Sequence, residues 1–86
     1  MNSSDALRAM VDRSGLSMRA ASVASGRSPE FISGTVSRGS SPTLATAAEL
    51  AAACGYALAF VPTGDVPHGA LVIDPTPARR PGAPDA

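Results

Sequence analysis

The chain has 86 residues, seven of them basic and seven acidic, with one histidine, one cysteine and a formal net charge of zero. That length supports one small domain with a limited core, for which association with a second copy is a common remedy. Cys54 has no second cysteine to pair with internally, and no basic segment followed by an apolar run marks a secretory leader or a membrane span, so the expected location is the cytoplasm.

The first predicted element begins at Ser3-Ser4-Asp5, with an acid in the first turn, where the helix dipole favours negative charge. Leu7, Met10 and Val11 follow at i, i+3 and i+4, the spacing of one helical face, and Gly15 ends the helix. Ser17 is placed to cap a second, short helix rich in small residues (Ala20, Ala21, Ser22, Ala24), which let a neighbouring helix approach closely. Gly26 supplies a tight turn. The third helix spans 28–37: the Ser28 hydroxyl is placed to cap a free backbone N–H, and Pro29 suits the first helical position, where its missing N–H costs nothing. Phe31, Ile32 and Val36 are its apolar positions, while Gly34 lowers helix propensity by up to ~1 kcal/mol relative to alanine and leaves room on its face. Gly39 to Pro42 reads as a loop. Thr43 caps the fourth helix, with Leu44, Ala47, Leu50, Ala51 and Cys54 as its buried stripe and Gly55 at the C-terminal cap. The alanine-rich setting makes Cys54 a packing residue.

Beyond Gly55 the period changes. Residues 56–61 (Tyr-Ala-Leu-Ala-Phe-Val) are strand-like, with Tyr56, Leu58 and Phe60 on one side, and residues 70–73, including Leu71 and Ile73, form a second β-prone run after a turn-rich stretch. The pattern predicts a β-hairpin over 56–74. An isolated hairpin is marginal in water, and both sides of its first strand are apolar, so pairing with the same element of a second chain is the expected cover. The tail, 75–86, carries four prolines and two arginines with almost nothing to bury, and is expected to be disordered.

Two short helices joined by a glycine turn make a helix-turn-helix, whose second helix can enter the major groove of DNA. Although the chain is neutral, Arg13, Arg19, Arg27 and Arg38 face only one acid, Glu30, between residues 13 and 42, a local excess that supports phosphate contact. Arg19, Arg27 and Arg38 are the candidate phosphate ligands, against the plainer alternative of solvated surface arginines. His68 stands alone in a Pro/Gly loop, so neither a metal site nor a cofactor is implied. With no nucleophile–base pair and no glycine-rich phosphate loop, the chain does not read as an enzyme.

Residues 16–56 resemble the helix-turn-helix domain of lambda-repressor/Cro-type transcription regulators. The resemblance is carried by Leu16-Ser17, Ser22, Gly26, Ser28-Pro29, Ile32-Ser33, Pro42-Thr43-Leu44 and the closing Ala53-Cys54-Gly55-Tyr56. Departures from the pattern are Met18, Ala21, Arg27 and Thr35, which make the core of the motif smaller and more polar. The resemblance implies a mainly α fold: a compact domain of four to five helices over residues 1–55, with the C-terminal β-hairpin as a dimerising element formed by Tyr56, Leu58, Phe60, Leu71 and Ile73. It implies a sequence-specific, repressor-like regulator bound to double-stranded DNA as a homodimer, with Ser28, Pro29, Glu30, Ser33, Gly34 and Ser37 facing the groove. Serines hydrogen-bond to any base, Glu30 accepts from a cytosine amine and Pro29 touches a thymine methyl; equally, Glu30 serves as a first-turn acid. The alternative is an antitoxin-like or other interaction module that mainly binds a partner protein such as a toxin.

Overall fold

Four helices and one 3-10 turn make up the regular structure in the computed structural model, which describes residues 1–75. The expected tail lies, past Pro75, outside the described residues. Helix α1 covers Ser3–Ser14, α2 Met18–Ala24, α3 Phe31–Arg38 and α4 Leu44–Ala53; the 3-10 turn is Thr63–Asp65. None of the described helices is long and apolar enough to cross a membrane.

Local chemistry sets most of these boundaries. The Asn2 side chain accepts from the Asp5 amide at 2.7 Å and so caps α1. Ser17 Oγ accepts from Ala20 N at 3.0 Å to open α2, and Thr43 Oγ1 from Thr46 N at 3.2 Å to open α4. Each satisfies one donor that the first helical turn leaves free. Gly26 closes α2 with φ +85°, in the left-handed region that glycine enters without penalty. There Arg27 N donates to Ser22 O at 3.0 Å and Gly26 N to Val23 O at 2.9 Å, the paired bonds of a glycine-terminated helix end.

The start of α3 differs from the expected 28–37. The helix begins at Phe31, and the Ser28 side chain caps nothing. Residues 28–31 form a tight turn closed by Phe31 N donating to Ser28 O at 3.1 Å, with Glu30 as the half-helical flanking residue (φ −94°, ψ 5°). The cap comes instead from α2: Ser22 Oγ accepts from Ile32 N at 3.0 Å. A donor satisfied by a side chain ten positions upstream leaves no signature in the local sequence.

The core gathers where the helices converge. Leu7, Met10 and Val11 of α1, Ala21 of α2, Ile32 of α3 and Leu50, Ala51 and Cys54 at the end of α4 are buried together. Helix α3 packs on both α1 and α2, and α2 also meets α4. Burying an Ile or Leu side chain stabilises by about 1.5–3 kcal/mol, so Ile32 and Leu50, both fully enclosed, hold α3 and α4 in place. Leu44, expected in the stripe of α4, is 62% exposed instead. It occupies the first helical position, at the rim, with no element laid over it.

The β-hairpin expected over 56–74 is absent: no described residue is in a strand. Residues 56–61 and 70–75 carry no regular secondary structure and do not pair with each other. They fold as an arm across α1 and α4. Tyr56 and Leu71 pack on the core, Arg13 Nη1 donates to Gly69 O at 2.9 Å, and Asp74 N donates to Met1 O at 2.9 Å. A two-stranded ribbon is marginal alone, and laying Tyr56 and Leu71 against helices buries more apolar surface than pairing two short strands in water. Tyr56 and Leu71 therefore serve this chain's own core, whereas Leu58, Phe60 and Ile73 are exposed.

Candidate nucleic-acid interface

Helix α3 has two distinct sides. Ile32 and Thr35 are buried, and Phe31 and Val36 are half-buried against the core. Glu30, Ser33, Gly34 and Ser37 follow at the i, i+3, i+4, i+7 spacing of one stripe, and Glu30, Ser33 and Ser37 are exposed. No described element covers this stripe. Helix α3 is eight residues long, about 12 Å at 1.5 Å per residue, and a B-DNA major groove, about 12 Å wide, admits a helix of the usual ~10–12 Å diameter.

The stripe is small and hydroxyl-bearing. Ser33 Oγ donates to Glu30 O at 3.2 Å, which leaves its lone pairs free to accept a further bond. The Arg38 guanidinium folds back along the helix over Gly34: a Cβ built on Gly34 would meet Arg38 Nη1 at 3.0 Å. Because Gly34 has no side chain, this cation can lie over the helix at that position. Ser28 is exposed in the preceding turn and Pro29 half-buried.

The other two arginines have partners within the chain. Arg19 lies 3.5 Å from Glu30 Oε2, with both side chains largely exposed. Water and salt screen such a pair, so it opens readily to a competing phosphate. Arg27 is more tightly held. Its side chain is only 22% exposed; it donates to Ser25 O at 3.0 Å, pairs with Glu49 Oε1 at 2.5 Å and reaches Thr46 Oγ1 at 3.5 Å. Its guanidinium also sits 5.3 Å from the centre of the Phe31 ring. Arg27 thus ties the turn to α4, and α3 to both.

Glu30, Ser33, Gly34 and Ser37 share one stripe with Arg38 folded over Gly34, Ser28 and Pro29 lie in the turn before the helix, Arg19 is joined through Glu30, and Arg27 turns toward α4. Ser22 was not among the candidate site residues, yet it fixes the angle at which α3 is presented. Fully buried, it donates to Met18 O at 2.7 Å and accepts from Ile32 N, so one hydroxyl fastens α2 to the first turn of α3. The available signal was a lone serine among the alanines of a helix expected to pack closely. The chain matches no protein-family model, no curated protein and no solved structure.

Proposed function

We propose that this chain is a sequence-specific double-stranded DNA-binding regulator of repressor type, with α3 as its recognition helix. One observation carries the reading: α3 is held from behind by Ile32 and by the Ser22 bond, while its outer stripe stays open and carries Arg38 over Gly34. A recognition helix needs that combination, a rigid back and an uncovered face small enough to approach base edges.

On this reading the chemistry divides in two. Arg38, and Arg19 once released from Glu30, contact phosphates and supply most of the affinity. Ser33, Ser37 and Glu30 meet base edges, which serines read permissively and a carboxylate reads as cytosine. With no Arg, Asn or Gln among Glu30, Ser33, Gly34 and Ser37, direct base readout is modest. Two copies related by a two-fold axis would place their α3 helices about 34 Å apart on an inverted repeat.

Gel retardation on sheared genomic duplex at low and moderate salt tests this. Retention that weakens with salt is expected, with Arg38→Ala making log K less steep in log salt by ~1. An absence of retention at low salt refutes the reading and favours the alternative of a module that docks another protein.

A further inference from the structure

Arg38 differs from the other arginines around α3. Arg19 pairs with Glu30 and Arg27 with Glu49, whereas among the described residues no acid pairs with Arg38. The Arg19–Glu30 pair also offsets the one acid of the outer stripe, so Arg38 is the uncompensated charge there.

Its guanidinium does not stand at the flank of the helix. The Cα–Cβ direction at position 34 lies along the stripe shared with positions 30, 33 and 37, and a Cβ built along it would meet Arg38 Nη1 at 3.0 Å. A residue of the last turn thus delivers its cation to the middle of the stripe, into the space that Gly34 leaves.

That placement sets the ligand. An arginine fork carries only donors, five N–H groups in one plane. In the major groove guanine alone presents two adjacent acceptors, O6 and N7; adenine and thymine each present one acceptor beside a donor or a methyl group, and cytosine presents a donor. A phosphate also offers paired acceptors, but phosphates line the walls of the groove, whereas on the regulator reading the stripe faces the base edges. A guanine takes two of the donors and leaves others for a phosphate oxygen, so the salt slope expected of Arg38 stands.

We propose that Arg38 is the main specificity-determining residue of α3, its fork donating to O6 and N7 of a guanine from the space over Gly34. This rests on the regulator reading and deepens it: the side chains at 30, 33 and 37 add modest readout, and Arg38 fixes one base of each half-site.

Selection of sites from a pool of random duplexes by the wild-type chain, followed by gel retardation at low salt, tests this. The selected sites are expected to share a guanine at one position in each half-site. Replacing it by 7-deazaguanine, which removes N7 and keeps the base pair, should weaken wild-type retention by about tenfold. In Arg38→Ala the same replacement should cost less than about twofold, because the partner of N7 is already gone. Helical circular dichroism of that variant should match the wild type, since Arg38 is exposed at the helix end. Selected sites with no shared guanine overturn the proposal. So does a 7-deazaguanine penalty that is absent from the wild type or equal in the two proteins. Those results leave the regulator reading standing, because duplex is still bound; a chain that binds no duplex at low salt overturns both.

Discussion

Replacing Ser22 with alanine probes how α3 is held. The hydroxyl is fully buried and accepts from the Ile32 amide at 3.0 Å. In Ser22→Ala that amide loses its acceptor where water does not reach, a cost of about 1–3 kcal/mol for an unsatisfied buried donor. The loss of the bond from Ser22 Oγ to Met18 O adds little, since that carbonyl sits within the helix and keeps its ladder position. Alanine recovers about 0.5 kcal/mol through better helix propensity. The net loss is about 0.5–2.5 kcal/mol, and at the middle of that range the midpoint falls by about 6–12 °C for a domain of this size. Thermal unfolding followed by circular dichroism measures it, with Ser33→Ala, on the exposed face, as a control that shifts stability by no more than about 0.5 kcal/mol. Hydrogen exchange at the Ile32 amide should accelerate in the Ser22 variant alone. A Ser22→Ala protein that melts at or above the wild-type midpoint would refute the assignment of this hydroxyl as the clamp on α3.

Three other substitutions separate folding from recognition. Gly26→Ala places a side chain at φ +85° with no atoms nearby to clash, so its cost is backbone strain alone, about 1–2 kcal/mol, read as a lower urea midpoint. Gly34→Ala should raise thermal stability by up to ~1 kcal/mol through helix propensity, yet weaken duplex retention by filling the space on the outer face and shifting Arg38. Arg27→Ala should lower stability by about 1–2 kcal/mol through loss of the Phe31 stack and the Glu49 pair, and leave the salt slope of DNA retention unchanged.

What the sequence revealed was what short-range chemistry decides. Ser17, Thr43 and Gly26 act on backbone groups within a few residues of themselves, and their roles in the structure match their roles in the sequence. The apolar spacing of Leu7, Met10 and Val11 likewise marked the buried face of α1. The readings that went astray depended on distant partners. Ser28 looked like a cap because it precedes a proline, but Ser22 reached the helix start first. The setting of Arg27, a candidate phosphate ligand in the sequence, was not legible there, because Glu49 comes alongside it from α4 only in the fold. The β-prone runs at 56–61 and 70–73 had the right alternation for strands, and periodicity does not say whether a strand finds another strand or a helical surface. Within α3 the division of inner from outer residues was legible from Ile32 outward; the position of Arg38 over Gly34 was not, since it depends on a side-chain rotamer.

The central claim is that the outer stripe of α3 lies against nucleotide edges, and a double substitution on that stripe tests it most directly. Ser33→Asp with Ser37→Asp adds two negative charges on exposed positions that support no packing, so the unfolding curve should overlay the wild type to within about 0.5 kcal/mol. Retention of duplex DNA at low salt by this folded variant should fall by at least about tenfold, a loss of about 1.4 kcal/mol or more. Wild-type retention by the doubly charged protein would place any nucleic-acid contact elsewhere on the molecule.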